Sequence, residues 1–221
     1  MFLTLTDLRL KPSQPEKTLL SLCEKKLRAP VRHFRILKKS LDERDKNDIR
    51  WVYTVECSDR AQKPVPRVFD KIGKPMPRVY IIGAGPCGLF AAIRLIEHGI
   101  RPVLIERGKP VEERMKDVES FRATGKLASD SNVQFGEGGA GTFSDGKLFT
   151  QTKSPLNREV LETFVRFGAP EEIAYLGKPH IGSDNLVKVV RNMREYIVRE
   201  GGQIRFSSLF TGAETRDGKL V

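Results

Sequence analysis

The residues with the clearest chemical potential form a glycine turn and a carboxylate behind it. Gly83-Ala84-Gly85-Pro86-Cys87-Gly88 has glycine at its first, third and sixth positions, and Glu106 lies 18 residues after Gly88. In this spacing the first glycine allows a tight turn, the second lets the backbone approach a pyrophosphate, and the third lets a helix pack closely on a sheet. The N-terminus of that helix attracts phosphate through free N–H groups and its dipole. The pattern predicts a dinucleotide site in which Glu106 accepts hydrogen bonds from ribose hydroxyls, and its negative charge argues against NADP there.

The elements that must position this turn are predicted on either side of it. Val79 to Ile82 is a continuous apolar run, which predicts a parallel strand covered on both faces. Pro86 suits the first position of a helix that ends before Gly99, and Val103 to Ile105 forms the next strand. A structural glycine turn in an unrelated strand–helix–strand unit is the alternative.

A second glycine-rich segment follows a predicted helix over residues 110–124. Gly136 to Gly141 contains four glycines in six residues, so its backbone can approach a flat ring or an anion, and Thr142 and Ser144 add hydroxyls. The alternative is a flexible surface loop. Further helices are predicted from Pro155 to Phe167 and from a cap at Ser183 or Asp184.

The end of the sequence predicts a strand and a hairpin. Ile204 to Phe210 has strand character, and Asp217-Gly218 is a typical hairpin turn. Because Val221 falls within the expected return strand, we expect the chain to be part of a longer polypeptide.

The first sixty residues predict a separate, small α+β unit. Phe2 to Thr6, Val31 to Leu41 and Ile49 to Glu56 have strand character, and Glu16 to Leu27 shows helical spacing of leucines, so the predicted order is β-α-β-β. Residues 61–77 contain four prolines and favour a linker. The predicted organisation is therefore a domain over residues 1–60, a linker over 61–77 and a Rossmann-like α/β domain over 78–221.

Charge and cysteine content narrow the classes of function. The net charge is +11, and residues 1–77 hold 18 Lys and Arg against 10 Asp and Glu. The basic residues are scattered rather than gathered into an arm with aromatic residues, which favours a solvated basic face over a nucleic-acid site. The three cysteines are far apart, so neither a dithiol centre nor a zinc site is predicted. No apolar run is long enough to span a bilayer, and the composition predicts a cytoplasmic protein.

The fingerprint resembles that of a known group of flavoproteins. GAGPCGLFAAIRLIEHGIRPVLIERG is similar to the FAD fingerprint of glutathione-reductase-like flavoproteins, in which an ending in Glu-Arg implies FAD rather than NAD. QFGEGGAGTFSDGKL and KPHIGSDNL further resemble a bacterial family of FAD-dependent oxidoreductases, often called NAD-utilising dehydrogenases, that carry a small basic domain before the flavin domain. The resemblance covers essentially the whole chain and implies an incomplete Rossmann-like FAD domain.

The resemblance also implies a set of contacts. The ADP half of FAD would be bound by Gly83, Ala84, Gly85, Pro86, Cys87, Gly88, Glu106 and Arg107, and the flavin side by Gly139, Gly141 and Thr142. A second nucleotide fingerprint is absent from the sequence, so the site of an NAD(P)H electron donor is not predicted. The substrate and the oligomeric state are left open.

Other residues offer less specific signals. Cys87 is interpreted as a packing residue, and His180 as structural, with a proton-donor role as its alternative. Arg122-Ala123-Thr124-Gly125 is interpreted as a helix end rather than a flavoprotein strand motif. Catalytic residues and metal ligands are not assigned. The predicted function is an FAD-dependent oxidoreductase, and the alternatives are a flavin-dependent RNA-modifying enzyme and a non-catalytic dinucleotide-binding protein.

Overall fold

The computed structural model describes residues 1–62, 69, 78–217 and 219–220. The chain divides into two compact units, and the first combines the N-terminal residues with Lys147–Val165 and Pro170–His180. The second contains the glycine turn, the second glycine-rich segment and Ile181 onward. Almost all of the predicted linker lies outside the described residues, so the boundary within 61–77 stays a prediction.

The first unit contains the predicted β-α-β-β order. Its elements are β1 (Phe2–Leu10), α1 (Thr18–Leu27), β2 (His33–Asp42) and β3 (Arg50–Ser58). The strands form an antiparallel sheet in the order β1-β3-β2. One face of the sheet and α1 bury a common core of Leu10, Leu19, Cys23, Leu27, Tyr53, Val55 and Cys57. This core accounts for the leucine spacing seen in α1.

A distant segment of the chain pairs with the edge of β2 at Lys39. The Lys39 N–H donates to the Tyr175 carbonyl at 2.8 Å, and the Gly177 N–H donates to the Lys39 carbonyl at 2.8 Å. Leu176 thereby pairs with Lys39 in a parallel bridge. The edge of β2 therefore depends on residues more than a hundred positions away in the sequence.

The second unit is built on a parallel sheet. Its elements are β4 (Tyr80–Ile82), α2 (Pro86–Glu97), β5 (Val103–Ile105), α3 (Val111–Thr124), α5 (Ser183–Arg199) and β6 (Gln203–Arg205). Helix α4 (Leu156–Arg166) precedes α5 in the chain, but its residues up to Val165 belong to the first unit. The strand order is β4-β5-β6, and both pairs are parallel. Helices α2 and α5 contact each other and contribute buried side chains, among them Leu89, Ile93, Val189, Met193 and Ile197. The mixed α/β character predicted for this part of the chain is confirmed.

The expectation that the first parallel strand is covered on both faces is wrong. Tyr80 and Ile82 are 50% and 52% exposed, whereas Leu104 in β5 is fully buried. The face of β4 that carries Ile81 packs against α2, where Ile81 lies beside Gly88, whereas the face that carries Tyr80 and Ile82 is open. The apolar run correctly predicted a strand, but not the number of its covered faces.

Two other predicted boundaries differ from the structure. Helix α5 begins at Ser183, close to its predicted start, but its N-cap is Gly182, with a φ of 83° and no side-chain hydrogen bond, rather than Ser183 or Asp184. Gly182 takes this conformation beside Gly146, whose carbonyl accepts from the Ile181 N–H at 2.9 Å.

The strand predicted over residues 204–210 is shorter than expected. It ends at Arg205, because Ser207 adopts a φ of 49° and the chain turns away. A hairpin of β7 (Thr215–Arg216) and β8 (Lys219–Leu220) follows, while Gly218 of its predicted turn lies outside the described residues. Helix α3 ends at Thr124 with Gly125 as its C-cap, which confirms the interpretation of Arg122 to Gly125 as a helix end. Within the part of the chain that the structure describes, every helix is too short or too polar to cross a bilayer.

Candidate functional site

The glycine turn joins the end of β4 to the start of α2. Gly83 has a φ of 94°, which favours glycine, and its N–H donates to the Ile105 carbonyl at 2.8 Å. A Cβ at Gly88 would lie 2.0 Å from the Gly83 carbonyl oxygen, whereas a Cβ at Gly85 would meet nothing within 4 Å. Gly88 is therefore required by the packing of the protein itself, while the space over Gly85 is open.

The N-terminus of α2 presents backbone N–H groups that have no acceptor among the described residues. Pro86 is the first residue of α2. The Leu89 N–H donates to the Gly85 carbonyl at 3.0 Å and is the first N–H that is hydrogen-bonded within the helix. The N–H groups of Cys87 and Gly88 precede it and lie in the turn where a helix carries its partial positive charge. This end of α2 is suited to an anion.

Glu106 holds the strands and the turn together. One carboxylate oxygen accepts from the Ala84 N–H and the other from the Gly108 N–H, each at 2.7 Å, and the residue is only 6% exposed. A carboxylate has about four acceptor positions. Glu106 can therefore join two backbone segments by hydrogen bonds and still accept a hydrogen bond from a ribose hydroxyl. The sequence did not predict the first of these two roles.

The second glycine-rich segment lies directly against the turn. The Gly138 N–H donates to the Ala84 carbonyl at 2.8 Å. A Cβ at Gly139 would lie 3.2 Å from Pro86 Cδ and 3.5 Å from Gly85 Cα. Gly138 and Gly139 have φ values of 80° and 66°, so this close approach uses conformations that favour glycine. Two segments predicted separately from sequence thus form one surface.

A cavity of about 330 Å³ opens where these segments meet. It is lined by Ile82, Gly83, Gly85, Ile105, Glu106, Arg107, Gln134, Phe135, Gly136, Gly139, Ser208, Leu209 and Phe210. Five of the predicted site residues, Gly83, Gly85, Glu106, Arg107 and Gly139, are therefore brought together. Its walls combine backbone, one carboxylate and apolar side chains, which is the usual composition of a cofactor site.

Arg107 and Phe135 form a flat wall of this cavity. The guanidinium carbon of Arg107 lies 3.6 Å from the centroid of the Phe135 ring, and Arg107 Nε lies 3.7 Å from Asp130. A planar cation stacked on an aromatic ring is a surface on which a heterocycle can stack. Phe135 was missed from sequence, although it directly precedes the glycine-rich segment that was identified.

The remaining predicted residues lie around the cavity rather than in its lining. Ala84 and Gly88 are buried behind the turn, Cys87 is exposed, and Gly141 has open space around it. Thr142 is buried, and its hydroxyl oxygen has no hydrogen-bond partner among the described residues. Ser208, Leu209 and Phe210 were expected in a strand, but they border the cavity because the Ser208 N–H donates to the Glu106 carbonyl at 2.9 Å.

A network of ionisable side chains, in which Glu137 is buried and Arg194 and Glu112 are partly exposed, lies behind the second glycine-rich segment. The Glu137 carboxylate accepts from the Val111 N–H and from Arg194, each at 2.7 Å, while Arg194 also binds Glu112 at 2.6 Å. Burial raises the pKa of Glu137 to about 7, and the hydrogen bond from Arg194 lowers the pKa of Glu112 to about 2. The network fixes the glycine-rich segment to α3 and α5.

Comparisons with known proteins agree with the geometry of the site. Residues 76–124 match the model of an FAD binding domain, and residues 3–58 match the model of a domain of unknown function. The first match covers the glycine turn, α2, β5 and Glu106. It supports FAD as the bound nucleotide and a flavoprotein as the class of protein.

The chain is also similar to an uncharacterised protein of Clostridium beijerinckii. The two are 38% identical over 225 residues, which cover 91% of this chain and 42% of that relative. The chain thus spans about two fifths of the length of the curated relative that it matches.

Proposed function

We propose that this chain forms the FAD-binding part of a flavin-dependent oxidoreductase. The observation that carries the proposal is the cavity in which the glycine turn, Glu106 and Gly139 meet at the N-terminus of α2. The open space over Gly85 fits a pyrophosphate, since a Cβ would project there without meeting the protein. The residues present therefore fit the nucleotide half of FAD.

Each part of the site would hold one part of the cofactor. The Cys87 and Gly88 N–H groups would donate to the pyrophosphate, and Glu106 would accept from the ribose. Arg107 with Phe135 would provide the surface for the adenine ring. Bound FAD would supply the redox chemistry, whereas the protein supplies binding and orientation. NAD(P)H as the source of electrons belongs to this proposal, and the substrate is left open.

Two glycines provide a test in which each residue has a different expected effect. Gly85→Ala should leave the free energy of unfolding nearly unchanged and weaken FAD binding roughly tenfold or more, because the methyl group occupies the space of the pyrophosphate. Gly88→Ala should lower stability as well, since its Cβ would clash with the Gly83 carbonyl. Gly212→Ala, also in open space, is the matched control. Titration with FAD, followed by denaturation and identification of the released flavin, measures the effect.

The outcomes separate the alternatives. The experiment should use both the 221-residue chain and the full product of its gene. A flavin spectrum that Gly85→Ala weakens supports the proposal. Absence of flavin binding in both forms, even with FAD supplied, would contradict it and favour NAD at the same site.

A second candidate is a flavin-dependent enzyme that modifies RNA. The first unit exposes a group of basic residues around the end of α1 and the end of β3: Lys25, Lys26, Arg28, Arg32 and Arg60. The Arg32 N–H donates to the Ser58 carbonyl at 2.8 Å, which brings these two chain segments together. Salt-sensitive binding of tRNA that Arg28→Glu/Arg32→Glu abolishes would support this candidate, and unchanged mobility of tRNA at low salt would remove it.

A further inference from the structure

Arg114 is a fully buried cation whose hydrogen bonds are directed at a single loop. Its Nε donates to the Asn132 carbonyl at 2.8 Å, and its Nη2 donates to the Val133 carbonyl at 2.8 Å. Its Nη1 donates to the carbonyls of Glu137 at 2.6 Å and Gly139 at 2.8 Å, with Gly136 at 3.4 Å. We call residues 132–139 the carbonyl loop, because its carbonyls converge on this guanidinium.

Burying the charge of Arg114 costs desolvation free energy, so we look for a structural contribution that an apolar side chain could not make. Burial lowers the pKa of Arg114 to about 10. Among the described residues, its guanidinium donates to backbone carbonyls rather than to a carboxylate. An apolar side chain could fill the same position on α3 without desolvating a charge. The distinctive contribution of Arg114 is therefore to fix several carbonyls in one arrangement through its rigid fork of donors.

The carbonyl loop needs such an external support. Gly136, Gly138 and Gly139 have φ values of 121°, 80° and 66°, and glycine loses more backbone freedom on folding than other residues. Gly136 is enclosed from both sides: a Cβ on Gly108 would lie 2.4 Å from Gly136 Cα, and a Cβ on Gly136 would lie 2.5 Å from Arg114 Cδ. The loop is thus pressed between Arg114 and the end of β5.

We propose that Arg114 is a positioning residue for the cofactor. It holds the carbonyl loop so that Gly136 and Gly139, which line the cavity, lie against the glycine turn. Arg114 itself does not line the cavity and acts through the loop. This inference rests on the proposed binding of FAD, and it assigns a function to a residue of α3 that the sequence pattern of the fingerprint does not include.

The test compares Arg114→Lys with Arg122→Lys, a control on the exposed face of the same helix. Lysine retains the charge but cannot reach the separate carbonyls with a planar fork. In the cofactor-free protein, Arg114→Lys should increase amide hydrogen exchange in residues 132–139 while the amides of α2 and α5 keep their protection. It should also weaken FAD binding roughly tenfold or more, and Arg122→Lys should stay within about twofold of the wild type.

A double variant tests whether Arg114 acts through the loop. Gly136→Ala pushes the loop away from Arg114, because its Cβ would lie 2.5 Å from Arg114 Cδ, so Arg114→Lys/Gly136→Ala should weaken FAD binding by about as much as the stronger single substitution. Multiplied effects would show independent actions and would overturn the inference. Wild-type affinity in Arg114→Lys would overturn it as well. A wild-type protein without flavin binding would instead overturn the proposed function, and the inference would fall with it.

Discussion

Glu106 illustrates how a single carboxylate can connect folding with ligand binding. Its two oxygens each accept one backbone N–H, from Ala84 in the glycine turn and from Gly108 after β5. Sequence spacing identified this residue as a ribose ligand, but spacing along the chain carries no information about which backbone groups a side chain satisfies. Because of these backbone contacts, we expect substitutions of Glu106 to change the stability of the protein as well as its affinity for FAD.

We expect Glu106→Gln to reduce both stability and FAD affinity. The amide nitrogen of glutamine would face one of the two backbone N–H groups, which would leave a buried donor unsatisfied at a cost of about 1–3 kcal/mol. Chemical denaturation and FAD titration measure the two effects. Glu119→Gln, exposed on α3, is the control. Equal stability of the two variants would contradict a stabilising role for the hydrogen bonds that Glu106 accepts from the backbone.

Glu137 gives the free energy of unfolding a specific dependence on pH. Its pKa of about 7 in the folded protein lies above the ordinary value of 4.5, so the folded state binds more protons between these values. Stability should therefore fall as the pH rises from about 5 to 7, by at most about 1.4 kcal/mol per pH unit. The lowered pKa of Glu112 acts in the opposite direction, but only at more acidic pH.

Glu137→Gln should flatten this part of the pH profile. Denaturation at several pH values between 5 and 8 measures the slope, and Glu119→Gln should retain the slope of the wild type. A slope that persists in Glu137→Gln would assign the pH dependence to another group.

At the scale of elements, local sequence patterns predicted what forms, whereas contacts between distant segments decided where the elements end. Helix α2 was predicted well because Pro86 and Gly99 mark its ends, and β5 was predicted with its observed bounds. The strand at 203–205 ends early because Ser207 and Ser208 donate to the carbonyls of Gly108 and Glu106. Such a partner a hundred residues away leaves no signal in a local pattern, and this also explains why Phe210 was missed as a cavity residue.

The two neighbouring strands should respond differently to the loss of an apolar side chain. Leu104→Ala in β5 should destabilise the protein by about 2–5 kcal/mol, because Leu104 is fully buried. Ile82→Ala in β4 should cost less than about 1 kcal/mol, because Ile82 lies on the open face. Denaturant unfolding of both variants measures the difference, and equal losses would indicate that the outer face of β4 is covered in solution.

At the scale of the whole molecule, the reactivity of the three cysteines can be used to measure the opening of each unit separately. Cys23 and Cys57 are buried in the core of the first unit, and burial raises the pKa of Cys23 to about 12. Cys87 is exposed at the start of α2 in the second unit. The molecule thus carries one accessible thiol and two thiols that only unfolding can expose.

Reaction with a chromogenic disulfide should therefore show one rapid thiol in the native protein and three in denaturant. Cys87→Ser should remove the rapid reaction and leave the two others. Reaction of two or three thiols before the far-ultraviolet circular dichroism of the protein changes would mean that the first unit opens while the rest remains folded.

The pairing of Lys39 with Tyr175 and Gly177 affects how this architecture can be inherited. The N-terminal segment that matches a domain of unknown function ends at residue 58, yet one edge of its sheet is covered by a segment near residue 176. A recombination event that moved only the first segment into another gene would transfer a sheet with unpaired backbone groups along β2. The N–H and carbonyl of Lys39 would then need other partners in the recipient protein or in water, so the segment that pairs with this sheet extends beyond the contiguous matched residues.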